Sequence, residues 1–507
     1  MSDDKKPSGP DLTQGVSLTA FKDNKLLGHV GDEDVLLVQG GSEVFAIAPE
    51  CTHWHGPLAE GLVVGDSIRC PWHHACFSLR TGEPTRPPAL NTLAVWDVLR
   101  DGDTIKVQRK REAPQAAPSH RTAPAKERFV IIGGGGAGFA AVEMLRREGF
   151  AGSITMLSND SAAPVDRPNL SKDYLAGSAP EEWLPLRDDE YYNNAGIDLR
   201  LKANVTAIDP KAHAVTLENG DKLPFDKLLL ATGAEPVKLP IPGADQPHVH
   251  TLRSLADSRA IIKAAESAKR VLVIGASFIG LEVAASLRAR KVEVHVVAPE
   301  ERPMEKILGK EMGDFIRALH AENGVHFHLK DTVEKLDGRR ATLKGGSTIE
   351  ADLVVVGVGV KPRLALAEQA GLAIDRGVSV NEYLETSIPG IFAAGDIARW
   401  PDPHSGQNIR VEHWVVAQRQ GQTAARNMMG RQQRYDAVPF FWSQHYDAVV
   451  SYLGHAESFD DVQIDGSISG KDCMLRYLKG GRVLAVASIN RDLDNLRAEL
   501  AMERGSA

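Results

Sequence analysis

Short apolar runs broken by glycine and polar residues dominate the first hundred positions. Residues 35–39 (VLLVQ), 44–48 (VFAIA) and 104–108 (TIKVQ) have the length and the β-branched content of strands. The pattern therefore predicts a small all-β domain over residues 12–112.

The pattern changes to alternating strands and helices after residue 126. Residues 129–145 (FVIIGGGGAGFAAVEML) and 271–287 (VLVIGASFIGLEVAASL) each read as an apolar strand, a glycine turn and a helix. This is the opening of a βαβ nucleotide-binding unit. We expect two Rossmann-like α/β domains, followed by a small α+β C-terminal domain where the alternation weakens.

A Pro/Ala-rich stretch separates the two patterns and reads as a linker. The second nucleotide-binding domain is expected to be inserted into the first. The predicted segments are the β domain at 12–112, the linker at 113–126, the first nucleotide-binding domain at 127–252 and 375–430, the second at 253–374, and the C-terminal domain at 431–507.

Composition and charge narrow the class of protein. The 507 residues are 43% hydrophobic and 25% charged, as in an ordinary globular protein, and the net charge of −8 argues against nucleic-acid partners. No apolar run reaches the roughly 20 residues of a membrane span. Four cysteines without a disulfide pattern fit a reducing compartment, and we expect a cytoplasmic protein.

Two cysteine–histidine pairs indicate a metal centre. Cys51 and His53 are followed, after sixteen residues, by Cys70 and His73. Two thiolates and two imidazoles suit a Rieske 2Fe–2S cluster, with the cysteines on one iron and the histidines on the other. Tetrahedral zinc is the alternative, although zinc sites favour Cys–Cys and His–His pairs. The stretch CTHWHGPLAEG…IRCPWHHACFSLRTGE resembles the Rieske domain.

Three positions in this stretch differ from patterns found in Rieske proteins. Gly56 and Trp72 stand where high-potential Rieske proteins have an additional disulfide. His74 stands where the family usually has glycine, a residue that often supplies a positive φ. We expect His55 and His74 to face solvent in loops and Cys76 to be buried as a small apolar residue.

The first glycine motif predicts a dinucleotide site. Gly133, Gly135 and Gly138 allow a tight turn and close approach of a pyrophosphate to the helix N-terminus. Asp160 lies where a ribose-binding acid is expected.

The second glycine motif is altered. Gly275 and Gly280 are kept, but Ser277 replaces the middle glycine and Ala298 stands at the usual acidic position. Glu300 is the candidate for a ribose 2′-hydroxyl, which favours NADH. Arg302 nearby would instead favour the 2′-phosphate of NADPH, and a fold that no longer binds nucleotide is the third possibility.

Further segments resemble ferredoxin-reductase-type flavoproteins. They are residues 166–175 (DRPNLSKDYL), 228–233 (LLLATG), 386–396 (TSIPGIFAAGD), 412–414 (EHW) and 440–443 (FFWS). Together with the N-terminal domain, nearly the whole chain resembles the apoptosis-inducing-factor-like flavoproteins that carry a Rieske domain.

The resemblance implies residue roles. Lys172 would lie near flavin N5 and pair with Glu282 beside the nicotinamide, which makes these two the catalytic candidates. FAD would be held by the glycines and acid of the first motif and by Arg167, Lys172, Ala231, Thr232, Gly233, Gly395, Asp396, His413 and Trp414.

The expected function is electron transfer. NAD(P)H would reduce FAD, which would pass electrons singly to the cluster and on to an unknown acceptor; a homodimer is possible. The alternatives are a reductase–ferredoxin fusion that feeds an oxygenase and an NADH-binding redox sensor with little turnover. Neither nucleotide domain contains a closely spaced cysteine pair, which argues against disulfide reduction.

Overall fold

The computed structural model describes residues 8–112 and 127–506. The predicted linker, 113–126, lies outside the described residues. These residues fall into two compact units. Unit 1 consists of 8–112 together with 491–506, and unit 2 consists of 127–490.

Unit 1 contains two antiparallel sheets, as the short apolar runs predict. One has the order β1-β10-β9-β4-β3-β2 and the other the order β5-β6-β7-β8. Its strands are β1 (Val16–Ser17), β2 (Lys25–Val30), β3 (Glu33–Gly40), β4 (Glu43–Ile47), β5 (Leu62–Val64), β6 (Ser67–Arg69), β7 (Cys76–Ser78), β8 (Pro84–Arg86), β9 (Val95–Asp101) and β10 (Thr104–Lys110).

The last helix of the chain, Asp492–Glu503, belongs to unit 1. The sequence pattern places this segment in the C-terminal domain at 431–507. The predicted domain bounds stay predictions. The structure differs from them in one respect, because residues 491–506 group with the N-terminal sheets. The physical basis of this grouping is a set of buried ion pairs, described below.

The first nucleotide-binding domain of unit 2 is built on a parallel sheet of order β13-β12-β11-β17-β29. A small antiparallel sheet, β14-β15-β16, packs beside it through a shared apolar core. Its elements up to the inserted domain are β11 (Arg128–Ile132), α1 (Gly136–Arg147), β12 (Ser153–Leu157), α2 (Asp173–Ala176), α3 (Asp189–Asn194), β13 (Ile197–Arg200), β14 (Val205–Asp209), β15 (Ala214–Leu217), β16 (Lys222–Pro224), β17 (Lys227–Leu230) and β18 (Ala234–Pro236).

The second nucleotide-binding domain repeats this plan. Its parallel sheet has the order β19-β26-β20-β21-β22, with a small β23-β24-β25 sheet beside it. The elements are β19 (Val249–Thr251), α4 (Leu255–Ala265), β20 (Arg270–Ile274), α5 (Phe278–Ala289), β21 (Glu293–Ala298), α6 (Glu305–Glu322), β22 (Val325–Leu329), β23 (Val333–Asp337), β24 (Arg340–Leu343), β25 (Thr348–Glu350) and β26 (Leu353–Val356).

The chain then returns to the first domain, where β29 joins β17 in the parallel sheet. A closing antiparallel sheet, β32-β33-β36-β35-β34, ends unit 2. These elements are β27 (Val360–Pro362), α7 (Ala365–Gln369), β28 (Val378–Ser379), β29 (Ile391–Ala393), β30 (Ala398–Asp402), β31 (Gln407–Ile409), α8 (Trp414–Met428), β32 (Phe440–His445), β33 (Ala448–Gly454), β34 (Asp461–Ser467), β35 (Asp472–Lys479) and β36 (Arg482–Ile489).

The multidomain fold class predicted from the sequence is thereby confirmed. Within the described ranges, no helix is both long enough and apolar enough to cross a bilayer.

Candidate functional site

Two loops of unit 1 bring the four predicted metal ligands together. Cys51 and His53 follow β4, while Cys70 and His73 lie in the turn between β6 and β7. The two histidine Nδ1 atoms are 3.1 Å apart, and both cysteines are buried free thiols. The ring nitrogens of the two histidines therefore converge on one point.

The electrostatics of these loops favour metal ligation. Burial lowers the pKa of His53 to about 3, so its imidazole is neutral and ready to donate a lone pair. A hydrogen bond with Cys70, together with burial, raises the pKa of the Cys51 thiol. The same hydrogen bond lowers the pKa of Cys70. Two clustered thiols and two imidazoles fit the Cys₂His₂ ligand set of a Rieske cluster.

The space around the sulfur atoms explains one departure from the Rieske pattern. A Cβ atom at Gly56 would lie only 2.7 Å from the Sγ of Cys70. A larger residue there would press on a ligand, so glycine leaves room for the sulfur. Trp72, the other departure, is 41% exposed.

The expectation that His74 faces solvent is wrong. His55 is exposed as expected, but His74 is 0% exposed and adopts a φ of +59°. The position thus keeps the left-handed conformation that glycine usually supplies. The side chain is buried because a residue at the far end of the chain binds it. Cys76 is buried as expected.

That residue is Glu499 on the C-terminal helix. Its Oε2 atom accepts hydrogen bonds from His74 Nδ1 at 3.0 Å and from Arg69 Nη1 at 3.1 Å. Glu503, one turn later, accepts from Arg69 Nη2 at 2.7 Å and from Arg86 Nη1 at 2.6 Å. Arg69 directly precedes the ligand Cys70 and His74 directly follows the ligand at 73, so the helix holds both ends of the second ligand loop.

A second site lies in unit 2, in a cleft of about 490 Å³ between the nucleotide-binding domains and the closing sheet. Both glycine turns contribute to its wall, together with strands β27, β32 and β33 and the residues that follow β17 and β29. Most of the residues predicted from the sequence line it: Gly135, Arg167, Lys172, Ala231, Gly233, Glu282, Gly395, Asp396, His413 and Trp414.

The other predicted residues lie behind or beside the cleft. A Cβ at Gly133 (φ +126°) would lie 2.0 Å from the Ala231 carbonyl oxygen, so this glycine permits the close approach of β11 and β17. Among the described residues, those predicted for the site but not lining the cleft are Gly133, Gly138, Asp160, Thr232, Gly275, Gly280 and Glu300.

Asp160 is held by another predicted residue. Arg167 Nη2 lies 3.2 Å from Asp160 Oδ2, which links the acid after β12 to the cleft. Burial lowers the pKa of Arg167 to about 10, and the guanidinium remains charged at neutral pH. A partly buried cation facing the first glycine turn fits a diphosphate.

The second glycine turn is well formed although Ser277 replaces its middle glycine. The Ser277 hydroxyl donates to the Gly357 carbonyl at 2.7 Å and accepts from the backbone N–H of Gly280 at 3.3 Å. Ser277 is therefore the N-cap of α5. The sequence pattern alone suggested only a missing glycine.

The catalytic candidates form a buried ion pair. Lys172 Nζ lies 2.9 Å from Glu282 Oε2, with the two side chains 10% and 3% exposed. The Ser171 hydroxyl donates to the same carboxylate oxygen at 2.5 Å. Taking two charges out of water is costly unless they are paired and hydrogen-bonded, and this pair is both.

A chain of hydrogen bonds extends from the other oxygen of Glu282. Ser443 donates to Oε1 at 2.6 Å, His445 Nε2 lies 3.2 Å from the Ser443 hydroxyl, and His320 Nε2 lies 3.1 Å from His445 Nδ1. Because the serine proton points at Glu282, each histidine is assigned its proton on Nε2. Sequence reasoning missed all three of these residues.

Burial keeps His445 and His320, the two histidines of this hydrogen-bond network, neutral. Desolvation, with the charge of Lys172 nearby, lowers the pKa of His445 to about 3, and it lowers the pKa of His320 well below its usual range. Every donor in the chain then points toward Glu282. The arrangement fixes the position of the Glu282 carboxylate next to its lysine partner.

Several cleft residues fit a bound flavin nucleotide. The buried Nδ1 of His413 and Nε1 of Trp414 have no hydrogen-bond partner in the described part of the chain. A Cβ at Gly136 would lie 2.9 Å from the Trp414 ring, so the helix start is shaped to this wall. Buried polar atoms without a partner in the wall of a cleft are typical of a ligand site.

The acid of the second predicted flavin motif has a partner that the sequence did not indicate. Arg253 Nη2 lies 2.6 Å from Asp396 Oδ2, and Arg410 Nη1 donates to the Asp396 carbonyl oxygen at 2.9 Å. Arginine residues thus hold both the side chain and the backbone of Asp396 in place.

Comparison with known proteins agrees with these sites. Residues 127–421 match the pyridine nucleotide-disulphide oxidoreductase family, 17–97 match the Rieske 2Fe–2S domain, and 440–507 match the reductase C-terminal domain. The first family binds FAD and NAD(P)H, and the Rieske domain binds a 2Fe–2S cluster.

Individual relatives cover both the whole chain and the reductase part. Human apoptosis-inducing factor 3 is 34% identical over 92% of this chain and 79% of the human protein. Rhodocoxin reductase of Rhodococcus erythropolis is 38% identical over 73% of this chain and 88% of that protein.

Among solved structures, the covalent putidaredoxin reductase–putidaredoxin complex is similar. It has a TM-score of 0.73 and 32% identity, and the match covers 75% of this chain and 94% of that one. The chain therefore belongs to the pyridine nucleotide-disulphide oxidoreductase family, as a ferredoxin-reductase-type flavoprotein oxidoreductase with an N-terminal Rieske domain.

Proposed function

We propose that this oxidoreductase uses NAD(P)H to reduce its own Rieske centre by way of FAD and then passes the electrons to a separate acceptor. The observation that carries this proposal is the presence, in one polypeptide, of a four-ligand Cys/His site and a flavin-type cleft with a buried Lys–Glu pair. Bound FAD supplies the chemistry that joins them, because it takes a hydride's two electrons and returns them singly.

The cleft residues have separate roles in binding and orienting the cofactors. Lys172 would place a positive charge beside the bound flavin, and Glu282 holds that lysine in place. Glu282 would also face the nicotinamide. Arg167 and the first glycine turn would bind the diphosphate, and Asp396, with its carboxylate fixed by Arg253, would bind the ribityl side.

In unit 1, Cys51, His53, Cys70 and His73 hold the cluster. Loop residues exclude water from the two thiols, which are almost fully buried. The pairs made by Glu499 and Glu503 keep the second ligand loop from moving.

Anaerobic reduction tests the relay. NADH and, separately, NADPH are titrated into the holoprotein while visible spectra follow the flavin and EPR follows the cluster. We expect flavin bleaching together with the signal of a reduced 2Fe–2S cluster. Bleaching of the flavin with no cluster signal would contradict transfer between them.

Two variants make the result specific. Cys70→Ser removes one ligand, and we expect flavin reduction to persist without the cluster signal. His55→Asn changes a neighbouring exposed histidine that is not a ligand, and we expect wild-type behaviour. The NADH/NADPH comparison also tests whether Glu300 or Arg302 decides the nucleotide.

One relative supports a second candidate function. The putidaredoxin reductase structure contains its partner, putidaredoxin. By analogy, this chain would deliver electrons to a separate acceptor protein, including one that serves an oxygenase. Turnover with ferricyanide but none with added ferredoxin-type proteins would argue against this candidate, and no turnover at all would favour a redox sensor.

A further inference from the structure

Two neighbouring strands of the second nucleotide-binding domain carry a group of side chains that commonly bind metal ions. β21 contributes Glu293 and His295, and β22 contributes His326 and His328. The parallel register pairs His295 with His326. Because side chains alternate along a strand, all four lie on the same face of the sheet.

These side chains are close enough to share an ion. His295 Nε2 lies 2.9 Å from Glu293 Oε1, and the ring centroids of His295 and His326 are 4.8 Å apart. One ligand atom from each of Glu293, His295 and His326 lies within 4.8 Å of the others. Small side-chain rotations bring such atoms to the spacing of a tetrahedral site.

His328 joins the group through a hydrogen bond with His295. Its Nε2 lies 2.9 Å from Nδ1 of His295, on the ring nitrogen that faces away from Glu293. Metal-binding histidines commonly use the second ring nitrogen in a hydrogen bond that fixes ring orientation.

We propose that Glu293, His295 and His326 form a reversible Zn²⁺ site, with His328 orienting His295. Imidazole nitrogen and carboxylate oxygen are ligands that zinc prefers. Three protein ligands leave the fourth position for water. The partial exposure of Glu293 and His326 provides an entry path for the ion.

The site is separate from the redox centres within unit 2. None of the four residues lines the flavin-type cleft among the residues described there. Zinc at this place would therefore bind outside the flavin-type cleft.

Arg270 competes with the metal. Its Nε and Nη2 atoms lie 2.9 and 3.2 Å from the two oxygens of Glu293. Zinc must share the Glu293 carboxylate with a guanidinium, and we expect moderate, micromolar affinity rather than permanent binding.

Zinc titration of the oxidised holoprotein tests the site. The bound cluster occupies the cysteine–histidine loops, so Zn²⁺ added alone reports any further site. Calorimetry and competition with a chromogenic chelator should give one Zn²⁺ per chain with a Kd below about 100 µM. A wild-type protein that binds no zinc in this range would overturn the proposal.

Single substitutions identify the ligands. His295→Asn and His326→Asn should each weaken binding by about tenfold or more. His250→Asn changes a histidine on β19, the opposite edge of the same sheet, and should leave the Kd unchanged. Wild-type affinity in His326→Asn would overturn the assignment.

One variant is expected to bind zinc more tightly. Arg270→Gln removes the competing guanidinium from Glu293, and the Kd should fall. A gain of affinity cannot come from a folding defect, which makes this variant a check on the others. Unchanged or weaker binding in Arg270→Gln would contradict the role given to Glu293.

Discussion

Glu499 Oε2 lies 3.0 Å from His74 Nδ1, although 425 residues separate the two positions in the chain. Through this contact the C-terminal helix becomes part of the Rieske unit. The carboxylate is 0% exposed and also pairs with Arg69, so it compensates a buried guanidinium beside a ligand loop.

Glu499→Ala should destabilise unit 1 strongly. The change removes the hydrogen bonds that Glu499 accepts from Arg69 and His74, while Arg69 keeps its pair with Glu503. Loss of a buried hydrogen-bond partner costs about 1–3 kcal/mol. The measurement is the midpoint of thermal unfolding followed by the loss of cluster absorbance. Asp494→Ala, on the same helix in exposed pairs with Arg497 and Arg491, should cost less than about 1 kcal/mol. Equal effects of the two changes would show that the buried pair has no special role.

Ser443→Ala should weaken the support of the buried Lys172–Glu282 pair. The variant loses the 2.6 Å hydrogen bond to Glu282 and leaves a buried charged oxygen without that donor. The expected cost is about 1–3 kcal/mol in stability, with slower flavin reduction by NADH. Stopped-flow reduction measures the rate, and Ser451→Ala, a buried serine on the neighbouring strand β33, is the control. A wild-type rate in Ser443→Ala would exclude this positioning role.

Unit 2 should lose stability as the pH falls from about 6.5 toward 3. His413 and His445 each have a pKa of about 3 in the folded protein because burial disfavours the charged ring. The unfolded chain binds these protons near the ordinary histidine pKa, so acid favours unfolding. Each group contributes a slope of about 1.4 kcal/mol per pH unit in this window.

Denaturant unfolding between pH 6 and 4 measures that slope. His445→Asn and His413→Gln each remove one such group, and each should make the pH dependence shallower by one proton. Variants that keep the wild-type slope would show that these histidines are protonated in the folded state.

Arg253→Ala should weaken FAD binding. Asp396 loses its 2.6 Å ion pair and is no longer held toward the cleft. A charge-assisted hydrogen bond contributes about 1.5–3 kcal/mol, which corresponds to roughly 10- to 100-fold in affinity. The ratio of flavin to protein after dialysis measures the loss. Arg259→Ala, which breaks an exposed pair with Glu181, should retain flavin fully. Full retention in Arg253→Ala would contradict the role of Asp396.

The sequence by itself determined the features that depend on residues only a few positions apart. The Cys51–His53 and Cys70–His73 pairs place ligands on tight loops, and the glycine turns after β11 and β20 fix the start of each helix, because neighbouring residues can adopt few other conformations. The fold class followed from these local patterns and from family resemblance, and the Lys172–Glu282 pairing followed from the resemblance alone.

Only the tertiary structure decided which distant residues meet. Ser443 reaches Glu282 because β32 lies beside α5, and β21 pairs with β22 in the register that sets His295 opposite His326. His74 is buried rather than exposed because the C-terminal helix supplies its partner. Such contacts depend on strand register and packing between remote segments, and no local pattern of hydrophobic and polar residues specifies them.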